Sequence, residues 1–209
     1  MKNEKDYIEK INPNAERRSI TGVIEKREIM EGETMPTIAG VAAVFNQWTD
    51  LGWCKERIAP GALDNADISD VLALNNHDED DILSRTTGKE DDLVLAITPT
   101  EFKFEFKAKN ECAKEAADNI GLGFIKGCSY AYVTKTDVWE YQVPQANGTL
   151  MDERTITAIE KVYDVSVVTF PAYNQTTVAL RSRDLSKPKQ LTGAELKEKF
   201  KLQIRNENK

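Results

Sequence analysis

Three residues of types that carry out hydrolysis stand out by scarcity or by setting. His77 is the only histidine among 209 residues, and it closes the apolar run and paired asparagines of "VLALNNHDED", 71–80. An imidazole at the mouth of a strand, followed by Asp78, Asp80 and Asp81, is either a solvated loop group or a general base whose protonated form nearby carboxylates would favour. Ser129 ends the glycine-rich approach "GLGFIKGCS", 121–129. Such a serine is either a hydroxyl that closes a turn or a nucleophile, with backbone N–H groups beside a Gly127–Ser129 turn available to an oxyanion. Cys128 is the rival nucleophile, but strand alternation points it away from Ser129 and marks it as a buried structural thiol.

The third residue is Asp164, in the middle of the apolar strand "TAIEKVYDVSVVTF", 157–170. A period of two puts Val162, Asp164, Ser166 and Val168 on one face and Tyr163, Val165 and Val167 on the other. A carboxylate placed there needs a cation or several donors to be buried ionised. Glu160 shares its face about 13 Å away along an extended chain, and is the alternative acid. A serine nucleophile requires a base, most often histidine held by a third group, so a Ser–His mechanism in this chain can only use His77. A metal reading is weaker. "DEDDILSRTTGKE" lacks the alternate-position acids and central glycine of a calcium loop, and one histidine makes a poor zinc site, so neither metal nor cofactor is expected.

Composition bounds the rest. A net charge of −7 offers no basic footprint for nucleic acid. No apolar run approaches the length of a membrane span, and "MKNEKDYIEK" does not read as a signal peptide. Three widely spaced cysteines, Cys54, Cys112 and Cys128, suit reduced thiols in a cytosol.

The elements that must position the three residues are mostly strands. "SITGVIEKREI", "TIAGVAAVF", "VLALNN" and "LVLAIT" read as strands, and "EFKFEFKA" alternates strictly, with Phe102, Phe104 and Phe106 on one face and charges on the other. "RIAPGALDNAD" gives a short helix or turn. "NECAKEAADNIGLG" suits a helix capped by Asn110 and stopped at Gly121. "CSYAYVTKTDVWEY" and "RTITAIEKVYDVSVVTF" are long strands joined through the turn "PQANG". The expected organisation is a polar N-terminal arm over 1–18, a mainly β (α+β) domain over 19–183, and a polar C-terminal tail over 184–209 with a short helix capped by Thr192.

In this order the pieces "GVAAVFNQWTD", "ERIAPGALDNA", "VLALNNHDED", "GCSYAY" and "VYDVSVVTFPAYNQT" resemble the tailed-phage prohead (capsid-maturation) protease family, from about Thr37 to Arg183. The resemblance implies a herpesvirus-protease-like β-barrel flanked by a few helices, and a serine endopeptidase. The family's histidine falls on His77, its nucleophile on Ser129, and its acid, two residues before the serine of the last strand, on Asp164. Two positions depart from the family pattern: Ala131 stands where glycine is usual, and Asp164 where glutamate is common, which keeps Glu160 as an alternate. The implied substrates are the scaffolding part of the phage capsid protein and the protease itself, cut inside the prohead in the host cell cytoplasm. The viral relatives often dimerise, so a homodimer or higher oligomer is expected.

Two other classes compete. A non-catalytic assembly module would bind capsid protein through the same domain, and would leave Ser129 and His77 out of reach of each other. A serine esterase would need a deep apolar pocket.

Overall fold

The computed structural model describes residues 12–21, 24–27, 35–88 and 93–170. The helix expected after Thr192 lies outside them.

Strand β11 (Leu150–Val168) is the spine of the larger sheet. It is long enough to take different neighbours along its two halves. Strand β10 (Gly127–Pro144) runs antiparallel along one edge. On the other edge β5 (Cys54–Ile58) pairs parallel with Asp152–Ile156, and β6 (Leu72–Asn75) pairs parallel with Asp164–Val167. The outer edge of β10 is covered by β1 (Ala15–Thr21), β5 is flanked by β4 (Thr49–Asp50), and β7 (Asp78–Arg85) returns antiparallel from β6. A second, antiparallel sheet has the order β2 (Ile24–Arg27), β3 (Thr37–Val44), β9 (Glu101–Lys107), β8 (Leu93–Ile97).

The two sheets share one core. The alternation of β9 does what its pattern demands: Phe102, Phe104 and Phe106 are buried while the intervening charges reach the surface. Phe102 meets Tyr130 of β10 edge-on, with ring centroids 6.2 Å apart. Gly40 of β3 leaves room for Phe104 and Cys128, because a Cβ there would sit 2.6 Å from the Phe104 ring and 2.7 Å from Cys128 Sγ. Helix α1 (Glu111–Gly121) turns Ala113, Ala116, Ala117 and Ile120 inward, the spacing of one helical face. Its N-cap is Asn110, whose Oδ1 accepts from the Ala113 amide at 2.7 Å while its Nδ2 donates to the carbonyl of Ile82.

The mainly β, α+β reading holds, with two sheets and one helix among the described residues. Strand pairing closes neither sheet into a barrel among those residues. Several local expectations shift. The helix runs through Gly121, and the residue with left-handed backbone beyond it is Gly123, at φ 74°. Of the two options for "RIAPGALDNAD", a short helix or a turn, the chain takes the second, with successive turns after the end of β5 and Gly61 at φ 83°. Residues 15–18, expected in a polar arm, belong to β1 instead. The reason is a buried ion-pair network. Arg18 donates to Glu56 at 2.5 and 2.7 Å, and Arg154 donates to Glu16 at 2.5 and 2.8 Å and to Glu56 at 2.8 Å. Charge that looks solvated in the sequence is paired in the interior, which is how such groups come to be buried.

Candidate active site

The site begins with a tight turn. Asn75 pairs with Asp78 across the β6–β7 hairpin, leaving a two-residue loop, Asn76 and His77, with φ of 51° and 59°. Positive φ at both central positions is what a type I′ hairpin requires, and the second position is usually glycine. A histidine there is conformationally costly and must be held in place. The asparagines do the holding. The Asn76 amide donates to the Val167 carbonyl at 2.9 Å, its Oδ1 accepts from the Thr169 amide at 3.0 Å, and Asn75 Nδ2 donates to Asp81 Oδ2 at 2.7 Å. Since β6 runs parallel to β11, the hairpin tip hangs over the end of β11 and its imidazole folds back across the sheet.

Ser129 and Asp164 are presented by neighbouring strands. Ser19, Ser129 and Ser166 form one row across β1, β10 and β11, and two residues along, on the same side of the pleat, Arg17, Ala131 and Asp164 form another. The register then shifts, Tyr132 pairing with Val162, so that Tyr163 is an extra residue. This bulge corrects the simple alternation. Val162 joins Val165 and Val167 in the core, whereas Asp164 and Ser166 face the imidazole. On β10 the alternation is undisturbed at this point: Cys128 packs into the core behind Ser129.

The Ser129 Oγ lies 2.6 Å from His77 Nε2, and His77 Nδ1 lies 2.7 Å from Asp164 Oδ1. With its proton on Nδ1 the ring donates to the carboxylate and accepts from the hydroxyl. Ser166 Oγ donates to the same Asp164 oxygen at 2.7 Å and sits 3.2 Å from His77 Nδ1. Ser129 Oγ is also 3.0 Å from the main-chain oxygen of Arg18. Asp164 is fully buried, and its acidity reflects opposed causes. Burial alone would push the carboxyl up, but the facing imidazole, the Ser166 hydroxyl and the Arg17 guanidinium outweigh it and hold it below the ordinary value. Burial pushes the Cys128 thiol up to about 12, which leaves it no thiolate at neutral pH.

A buried hydroxyl, an imidazole and a carboxylate in line can ionise an oxygen nucleophile and return its proton to a leaving group. A model of the caudovirus prohead serine proteases matches residues 23–190. The chain belongs to that family. It is therefore a serine endopeptidase, of a family tied by its name to the prohead. Comparison with curated proteins and with solved structures finds no match.

Of the residues singled out in the sequence, His77, Ser129 and Asp164 meet, and Glu160 does not, being exposed on β11. The acids after His77 turn to other tasks: Asp81 takes the Asn75 amide, and Asp78 takes the Asp80 amide at 2.9 Å. The oxyanion donors expected at a Gly127–Ser129 turn are not there in that form. These residues lie within β10, with β1 on one edge and β11 on the other, so their N–H groups point into ladders. Asn76, Ser166 and the Arg18 carbonyl escaped the sequence reading. The first two had a signal, Asn76 in a tight hairpin loop and Ser166 two residues from a buried acid on the same face. A main-chain carbonyl has none.

Proposed function

We propose that this prohead protease cleaves the scaffolding portion of the phage capsid protein, and itself, inside a newly assembled prohead in the host cytoplasm, by a Ser129–His77–Asp164 mechanism. The observation that carries the reading is one imidazole bridging a buried serine hydroxyl at 2.6 Å and a buried carboxylate at 2.7 Å. His77 Nε2 takes the Ser129 proton as Oγ attacks the peptide carbonyl. Asp164 stabilises the imidazolium and fixes the tautomer, and the ring then delivers the proton to the leaving amine. Water activated by the same ring hydrolyses the acyl-enzyme. Enzyme and substrate confined in one closed shell meet at high effective concentration, so modest intrinsic affinity suffices. A non-catalytic assembly module gives no reason for a histidine to be kept in left-handed backbone within reach of a serine.

The herpesvirus-protease-like barrel belongs to the same proposal. Its support is that both sheets close on one continuous core, as a flattened barrel would.

Co-expression with the phage's own capsid protein tests the function. The wild-type chain should yield shortened capsid protein, and Ser129→Ala should yield none while keeping the wild-type melting temperature. Processing retained in that variant would end the proposal. Intact-mass measurement of both proteins reads self-cleavage, which should require Ser129.

A further inference from the structure

Ser166 is fully buried, and its hydroxyl is spent entirely on the acid–imidazole pair. Asp164 Oδ1 receives two donors at equal length, His77 Nδ1–H and the Ser166 hydroxyl, each at 2.7 Å. Asp164 Oδ2 has no hydrogen-bond partner among the described residues. The carboxylate's hydrogen bonding is therefore concentrated on the one oxygen that faces the ring. The groups around the pair are few. The β6–β7 turn brings His77, β10 brings Ser129, β1 brings the Arg17 guanidinium, and β6 sets only Leu72 and Leu74 opposite Asp164 and Ser166.

We infer that Ser166 is a positioning residue of the reaction, its hydroxyl holding the charge of Asp164 and the tautomer of His77 that Ser129 needs. The inference rests on the Ser129–His77–Asp164 reading. Two physical effects make the case. A neutral donor on a buried carboxylate stabilises its charged form without adding a competing cation. With that donor engaged, the Ser166 oxygen turns its lone pairs toward Nδ1, 3.2 Å away. A proton on Nδ1 is then welcomed by two oxygens, whereas a bare Nδ1 lone pair would face both. The hydrogen stays on Nδ1, and Nε2 is left free to accept from Ser129.

The sign of the pH effect follows. The Ser166 hydrogen bond to the charged Asp164, at 2.7 Å, outweighs its longer 3.2 Å approach to Nδ1, and it is worth most when the carboxylate faces a neutral ring and less once an imidazolium neutralises it. Removing the hydroxyl destabilises the active, neutral-ring form more than the protonated one. The pair then takes up its proton at higher pH, and the acid limb of the rate profile moves up.

The chain's single histidine makes the test unambiguous, because one imidazole gives one set of ring resonances. The variant Ser166→Ala is compared with wild type in two ways: the pH profile of kcat/KM on a capsid-derived peptide, and the His77 ring titration and Nδ1 proton by NMR in a Ser129→Ala background. The expected result is a roughly ten- to one-hundred-fold fall in kcat/KM, the scale of one hydrogen bond to a charged group, with KM little changed. The acid limb should move to higher pH, and the Nδ1 proton should shift and exchange faster. An unmoved limb and unmoved Nδ1 proton would overturn the inference, whatever the loss of rate. If Ser166→Ala does not fold, Ser166→Cys, which keeps the volume with a weaker donor, is read the same way. A His77→Ala variant that still cleaves the peptide would instead overturn the underlying mechanism, so the two failures are distinct.

Discussion

Asn76 grips Thr169 through both ends of its side-chain amide, Oδ1 accepting from the Thr169 amide at 3.0 Å and Nδ2 donating to Thr169 Oγ1 at 3.4 Å. This clamp ties the turn that carries His77 to the end of β11. Two substitutions separate its roles. Asn76→Ala removes the clamp and puts a Cβ without hydrogen-bonding help at φ 51°, costing about 1–2 kcal/mol. Asn76→Gly suits the backbone but also lacks the clamp. Thermal melts should show the glycine variant the more stable of the two, while peptide-cleavage assays show kcat reduced in both. Wild-type kcat in Asn76→Gly would mean that the clamp does not aim the ring.

Asp164 and Glu160 make opposite predictions. Asp164→Asn replaces the acceptor of the Nδ1 proton with a group that can donate, favouring the wrong tautomer. Cleavage should fall by roughly 10⁴-fold, the scale of the same change in other serine triads. Glu160→Gln alters an exposed side chain and should leave kcat/KM within about twofold of wild type. Kinetics on one peptide decide between them, and a large loss from Glu160→Gln would transfer the role.

These contrasts also show what the sequence could and could not say. Strands with an apolar face, such as β9 and β3, announce themselves because their inward positions are hydrophobic. β5 hides because one inward position is Glu56, a charge whose burial depends on arginines from β1 and β11. β7 hides because Asp78–Asp81 have poor intrinsic strand preference, and of them only Asp78 pairs with β6, at Asn75, before the register shifts to Ile82 opposite Leu74. His77, Ser129 and Asp164, which meet in the structure, were legible through scarcity, a glycine-rich approach and a misplaced acid. What aligned them was not, because the bulge at Tyr163 and the left-handed turn at His77 are settled by neighbouring strands rather than by local sequence. Residues 15–18 looked like a solvated arm for the same reason as β5: an ion pair is visible only when both partners are.

Acid should loosen β1. Burial alone would raise the Glu16 carboxyl, but hydrogen bonds and charge from Arg154 and Arg18 hold it down at about 2, against 4.5 ordinarily. A depressed carboxyl contributes stability that is complete above its unfolded value and is lost as pH falls toward the folded one. The wild-type urea midpoint should therefore drop between about pH 4.5 and 2. Glu16→Gln should start lower at pH 7 and lose less across that window. Equal slopes for the two chains would remove Glu16 from the acid response.

Behind Ser129, Gly40 lies close against Cys128 of the other sheet, which allows packing to be tested apart from chemistry. Gly40→Ala places a Cβ 2.7 Å from Cys128 Sγ and 2.6 Å from the Phe104 ring. Something must move, at a cost of about 1–3 kcal/mol. The strand that moves carries Ser129 one residue on, so kcat should fall with stability. Cys128→Ala alone should leave cleavage near wild type, since its thiol is buried, faces the core and is pushed up to about 12. Combined with Gly40→Ala it removes the sulfur half of the clash and leaves the ring half. The double variant should therefore recover part of the lost stability and part of the lost kcat, read as a coupling energy in a double-mutant cycle. Strict additivity would mean that the strain is taken up by Phe104 and never reaches β10. Loss of activity in Cys128→Ala with an unchanged melt would revive the thiol as nucleophile.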